Sequence, residues 1–226
     1  MQSIQTVSEN TIYVGASDRR LAKFENLFPI PRGVSYNAYV ILDEKTALLD
    51  TADASVGAQF LENVAAALDG RKLDYLIVDH MEPDHAAMIE AVLVRWPDLR
   101  LVVNAKTLPM LKMYFPTDSA AFDDALVVKE GDTLDLGKHK LTFVMAPMVH
   151  WPEVMMTFDT TTGTLFSADA FGTFGALEGA LFADEVDFAG KWLDDARRYY
   201  TNIVGKYGVQ AVSYTHLRAH ETRHDL

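Results

Sequence analysis

The sequence predicts an α+β fold in which β-sheets are covered by helices on their outer faces. Three observations carry this. Strand-like and helix-like segments alternate along most of the 226 residues. Antiparallel hairpins are mixed among them, which a purely doubly wound sheet would not show. The composition, 49% apolar and 11% aromatic, is enough to bury a sizeable core.

In chain order, residues 10–14 are short and rich in strand formers. Residues 35–50, SYNAYVILDEKTALLD, hold two apolar runs around Asp43-Glu44-Lys45, the pattern of a hairpin with a polar tip. Val56, Phe60, Val64 and Leu68 recur at i, i+4 spacing. Residues 55–68 therefore read as an amphipathic helix, closed by Asp69-Gly70. Residues 73–79, LDYLIVD, are a continuous apolar run that suits a strand buried on both faces. A helix is expected from Pro83-Asp84 to about Arg95, with Pro97 beyond it as a stop. Residues 101–104 read as a strand and 107–114 as a helix. Residues 125–128, 134–136 and 140–146 read as strands, the last leading to Pro147 and His150. Residues 154–159 and 164–167 form a hairpin over 160–163. A long helix over 187–207 lines up Trp192, Ala196, Tyr199, Ile203 and Tyr207, with Gly208 as its stop.

The formal charge of −12, from 32 acidic and 20 basic residues, argues against a nucleic-acid or anionic membrane surface. There is no cysteine, so any metal must be held by imidazole and carboxylate. The first residues lack the basic and apolar regions of a signal peptide. No stretch approaches the ~18 consecutive apolar residues of a membrane span. A soluble, cytoplasmic protein is expected. Neither G-x-G-x-x-G nor a P-loop is present.

The densest chemistry is His80-Met81-Glu82-Pro83-Asp84-His85, four potential metal ligands within six residues where a buried strand meets a helix. A strand end sends His80 and Glu82 to one side, and the turn into the helix brings Asp84 and His85 round to the same cavity. A solvated turn capped by Asp84 would not account for two histidines and a second carboxylate. His150, before Trp151-Pro152-Glu153, and Asp169, in FSADAFG, also follow strands. Each is a ligand candidate through its association with the first motif. Asp79, Tyr36, Ser167 and Trp151 are candidates for orienting ligands. Tyr36, Trp151, Phe171 and Phe174 are candidates for an apolar gas pocket.

The H-x-E-x-D-H run, His150 and Asp169, with GVSYNAYVILDEKTALLD, HWPE and SADAFGTFG, resemble the di-iron domain of the flavodiiron proteins (A-type flavoproteins) from residue 1 to about 212. The resemblance implies a four-layer αββα metallo-β-lactamase-like sandwich. It implies one iron on His80, Glu82 and His150, a second on Asp84, His85 and a later histidine, and Asp169 as the bridge. It also implies reduction of dioxygen to water or of nitric oxide to nitrous oxide. The electrons would come from FMN in a flavodoxin-like domain, a rubredoxin being one donor, and the protein would be a head-to-tail homodimer. Zinc hydrolases of this fold usually read H-x-H-x-D-H. The carboxylate of Glu82 makes a harder site that suits iron.

The chain departs from the family after Val212. SYTHLRAHETRHDL, residues 213–226, reads as a vector-like tail. Its His216, His220 and His224 share a helical face but have no apolar stripe to dock them. The expectation is a domain truncated before its flavodoxin-like partner, with the second iron short of one imidazole. The alternatives are a zinc-dependent hydrolase of the same fold and a truncated, inactive metal-binding domain.

Overall fold

The computed structural model describes residues 3–115 and 120–214. The expected features of residues 215–226, including His216, His220 and His224, lie outside the described residues. The N-terminal half is built on β1 (Gln5–Ser8), β2 (Thr11–Tyr13), β3 (Ala16–Asp18), β4 (Lys23–Phe24), β5 (Phe28–Pro29), β6 (Val34–Tyr36), β7 (Tyr39–Leu42), β8 (Thr46–Leu49) and β9 (Tyr75–Ile77), with α1 (Gly57–Leu68) between β8 and β9. Then come α2 (Pro83–Ala86), α3 (Ile89–Arg95), β10 (Arg100–Asn104), α4 (Thr107–Tyr114), α5 (Ala120–Asp123) and β11 (Leu126–Val128). A second sheet follows from β12 (Thr133–Asp135), β13 (Lys140–Met145), β14 (Met155–Asp159) and β15 (Thr164–Phe166). The chain continues through α6 (Phe188–Lys191), α7 (Leu193–Tyr199), a π turn (Tyr200–Val204) and α8 (Gly208–Val212).

The first sheet runs β1-β2-β7-β8-β9-β10-β11 and the second β12-β13-β14-β15, while β3-β6 and β4-β5 form small ribbons. From β8 to β11 the strands are parallel, and the connections carry α1, then α2 and α3, then α4 and α5. Register shows why both faces are apolar. Val40, Leu48, Leu76 and Leu101 are successive partners on one face and cluster with Phe60, Val64, Ile89, Val92 and Leu111 of the helices. Their neighbours Tyr39, Leu49, Ile77 and Val102 form the next row, on the opposite face, and cluster with Leu141, Phe143, Met155 and Phe166 of the second sheet. On the other side of that sheet Met156 and Leu165 belong with Ile203, Val204 and Ala211. The layers are thus helix, sheet, sheet, helix, the α+β sandwich expected. Removing one of these side chains, as in Leu48→Ala, costs about 2–5 kcal/mol.

Three expectations are corrected. The first apolar run of the hairpin breaks at Asn37-Ala38: Ser35 and Tyr36 pair with β3, and only Tyr39–Leu42 pairs with β8. The helix after Pro83 is two pieces, because the Met88 amide donates to Thr51 Oγ1 at 3.3 Å where the first piece stops. The long helix over 187–207 is likewise segmented, and Gly208 opens α8 instead of ending a helix. Its π turn buries the consecutive residues Ile203 and Val204, which a regular helix would not point inward together. Among the described residues no helix is long and apolar enough to cross a membrane.

Candidate metal centre

The site lies at the C-terminal ends of β8, β9, β10, β13 and β15, where both sheets stop on the same side. The Met155 amide donates to the Asp79 carbonyl at 3.0 Å and joins the two sheets there. Beyond β9 the chain bends at Asp79 and reaches Glu82 in extended backbone, and Pro83 at the first helical position then turns it into α2. Thr51 fixes that turn, its hydroxyl donating to the His85 carbonyl at 2.6 Å. Several residues around the site hold left-handed backbone without being glycine: Asp50 (φ 54°), Met148 (φ 67°) before His150, and Ala168 (φ 48°) before Asp169. Such backbone is costly for these side chains and clusters at functional loops.

All six ligand candidates come together, in two groups that share Asp169. His80, Glu82, His150 and Asp169 form one; Asp84, His85 and Asp169 form the other. In the first, His150 Nε2 is 2.9 Å and His80 Nε2 3.2 Å from Glu82 Oε2, and both nitrogens are 3.1 Å from Asp169 Oδ2. In the second, His85 Nε2 is 3.2 Å from Asp169 Oδ1 and 3.8 Å from Asp84 Oδ2. Two ligands about 2.1 Å from one metal and at right angles stand about 3 Å apart. The first group has those edges.

A metal fits these groups better than hydrogen bonds do. Asp169 Oδ2 is buried and within 3.1 Å of two imidazole nitrogens, yet no hydrogen bond reaches it. Glu82 Oε1 and Asp84 Oδ1 are also buried without a hydrogen bond. His80 Nδ1 donates to Glu153 Oε1 at 2.8 Å and His85 Nδ1 to Asp50 Oδ2 at 2.9 Å. Each ring therefore turns its Nε2 lone pair toward carboxylate oxygens, an arrangement a cation between them resolves.

Without a metal, protons do that work. Burial pulls the His150 pKa down, but the carboxylates of Asp169 and Glu82 facing its Nε2 outweigh it and lift it to about 9. The same contest, with Asp169 and other carboxylates prevailing, raises His80 and His85 well above the usual histidine range. Burial pushes Asp84 up to about 7, with Asp169 and Glu82 adding to it against the pull of His85. Burial would raise Glu82 too, but bonds from His150 and His80 hold it well below the usual carboxylate range.

The orienting residues differ from those expected. Glu153 Oε1 also accepts from the Met81 amide, and Asn104 Nδ2 donates to the Glu153 carbonyl. Asp50 Oδ1 accepts from the Asp79 amide at 2.7 Å. The Tyr199 hydroxyl donates to Asp169 Oδ1 at 2.5 Å, and an added Cβ on Gly172 would stand only 3.0 Å from the Tyr199 ring. The Asp79 side chain instead accepts from Thr157 and the Ser167 hydroxyl donates to the Ala170 carbonyl, while Trp151 packs its ring edge-on 5.3 Å from His80. Glu153 had a signal in its place two residues after Trp151. Asp50 and Tyr199 read as a strand end and a core residue. A cavity of about 270 Å³ opens on Asp84, His85 and Asp169 and is lined by Tyr36 and Phe171, with Phe24 and Tyr199 beside them. Trp151 and Phe174, expected in such a pocket, do not line it.

Fold and site together define a metallo-β-lactamase-like domain whose donor set fits two metals. A family model described as "ODP family beta lactamase" matches residues 34–214, and the chain belongs to that family. It is 38% identical over 200 residues to the anaerobic nitric oxide reductase flavorubredoxin of Klebsiella pneumoniae, covering 88% of this chain and 40% of that protein. Two solved structures share the fold. The rubredoxin oxygen:oxidoreductase of Desulfovibrio gigas superposes with a TM-score of 0.88 at 30% identity, over 96% of this chain and 53% of that one. The flavodiiron protein of Giardia intestinalis gives 0.87 at 26% identity, over 97% and 52%. The chain thus spans about half the length of the proteins it matches, or less.

Proposed function

We propose that this chain is the di-iron domain of a flavodiiron-type oxidoreductase that reduces dioxygen to water or nitric oxide to nitrous oxide. One observation carries the reading: two donor groups meet on the two oxygens of Asp169, with Glu82 where hydrolases of this fold place an imidazole. The likeness to a nitric oxide reductase and to an oxygen oxidoreductase supports it. His80, Glu82 and His150 would hold one iron, Asp84 and His85 the other, and Asp169 would bridge them. When bound, a ferrous pair supplies two electrons together, which zinc cannot.

The protein's own residues do the rest. Asp50 and Glu153 fix the tautomer and aim of His85 and His80. Tyr199 holds Asp169 with its hydroxyl. The cavity beside Tyr36 and Phe171 admits a small gas molecule to the Asp84–His85 side. Electrons would arrive from FMN on a flavodoxin-like domain or partner, supplied in turn by a rubredoxin-type donor, in a head-to-tail homodimer. Removal of nitric oxide is the implied physiological role.

The test is to load the chain anaerobically with ferrous iron, count iron and zinc per chain, and supply a reduced flavodoxin-type donor with nitric oxide or dioxygen. The expected result is iron bound in preference to zinc, and gas consumption above that of the donor alone. A chain that takes zinc, refuses iron and hydrolyses an ester would replace this reading with the hydrolase.

A further inference from the structure

One loop, residues 150–153, serves the first donor group three times over. His150 supplies a nitrogen. Trp151 sets its ring edge-on to both imidazoles, 5.3 Å from His80 and 6.2 Å from His150. Glu153 accepts from His80 Nδ1 at 2.8 Å and from the Met81 amide at 3.0 Å. The second group is supported from elsewhere: Asp84 and His85 come from α2, and His85 is aimed by Asp50.

The junction of β10 and α4 grips this loop. Asn104 is the last residue of β10 and is buried. Its Oδ1 accepts from the Lys106 amide at 2.9 Å and from the Thr107 amide at 3.1 Å, closing the turn into α4. Its Nδ2 donates to the Glu153 carbonyl at 2.5 Å. Two residues on, Lys106 Nζ donates to the Pro152 carbonyl at 3.0 Å. Serine or aspartate caps a helix as well as asparagine does. Of these three, only asparagine also carries an N–H beside its acceptor oxygen, so capping alone does not account for the residue.

We infer that Asn104 is a positioning residue for one metal position and not for the other. By holding the Glu153 carbonyl it sets where the Glu153 carboxylate meets His80 and, through the same loop, where His150 points. Lys106 assists from the exposed side. The inference rests on the di-metal reading and adds to it a determinant 49 residues away from Glu153 in the chain. Metal–ligand distances hold to within about 0.2 Å, so a small shift of the loop is enough to loosen the position that His80 and His150 serve. The position that Asp84 and His85 serve does not depend on it.

The experiment is an anaerobic ferrous-iron titration of the full chain and of Asn104→Ser, resolved into its two steps. Serine keeps an oxygen for the turn into α4 but cannot reach the Glu153 carbonyl. The tighter step should weaken about tenfold while the weaker step stays as it is. In the metal-free proteins, proton NMR should show the His80 Nδ1 proton exchanging with solvent faster in Asn104→Ser than in wild type. An Asn104 that merely capped α4 would leave both steps and the exchange rate unchanged. Either that result, or a loss shared equally by both steps, overturns the inference. A wild type that takes up no iron overturns the metal-centre reading instead. The Nδ1 proton then still decides whether Asn104 governs the His80–Glu153 bond, and equal exchange rates overturn that. Should Asn104→Ser not fold, Lys106→Met decides, since losing the exposed tie to Pro152 must weaken the same step, by about threefold.

Discussion

The two donor groups are built unequally. His80, Glu82, His150 and Asp169 come from both sheets, and three of the four are buried. Asp84 and His85 come from a single helical turn, are half-buried, and face the cavity. The first group is enclosed by protein. The second has fewer protein donors among the described residues and more open space. A centre of this kind separates its tasks: one position holds a metal firmly and the other leaves room for a small molecule.

The sharpest way to break this comparison is Asp169→Ala. Asp169 alone belongs to both groups, so iron affinity should collapse at both positions, by at least about a hundredfold, and metal counting should find neither. Retention of one full equivalent would mean that the groups are independent. Next in size are two paired variants. Glu153→Gln should weaken the His80 group, and Asp50→Asn the His85 group, each by about ten- to a hundredfold. Sequential iron binding should show the loss moving from the tighter to the weaker step between them. If both variants weaken the same step, the division drawn here is wrong.

Acidity sharpens the comparison further. In the metal-free protein His150, at about 9, keeps its proton through neutral pH, and a metal must expel it. The apparent affinity of the first group should therefore rise about tenfold per pH unit from 7 to 9 from this residue alone. Asp84, at about 7, stops competing near neutrality. Stability of the metal-free protein runs the other way. The His150 pKa is raised on folding, so its contribution is fully present below about 6.5 and is lost as pH rises through about 9. Melting curves from pH 6 to 9 should show the metal-free form weakening while the loaded form gains. The smallest expected effect is Tyr199→Phe. It removes one hydrogen bond to Asp169 and should cost tenfold or less in iron affinity, with both steps moving together.

Much of this was legible in the chain itself. The helix at 107–114 coincides with α4, and the 160–163 hairpin lies where it was expected, because local periodicity and turn residues specify both. The His80–His85 run stands out in the sequence because four side chains able to bind a metal fall within six residues, and the structure brings all four to one place. What was not legible depends on distant partners. Asp50 looks like the end of a strand until His85 is found beside it, 35 residues on. Tyr199 keeps perfect helical spacing with Trp192 and Ile203, and only the neighbouring Asp169 reveals its hydroxyl as part of the site. Segmentation of the C-terminal helix is likewise a tertiary effect, since the residues that must face inward are not those a regular helix would present.

His150 meets Glu82 across 68 residues of chain, and Asp169 meets His85 across 84. Neither pairing exists until the two sheets have closed on each other, so the centre is among the last features to assemble. A metal held there stabilises the finished state without helping the chain reach it. Its signature is therefore kinetic: iron should slow unfolding markedly and leave the refolding rate nearly unchanged. The centre then acts as a latch on a door that folding has already shut, and loss of metal shortens the protein's lifetime before it changes its shape.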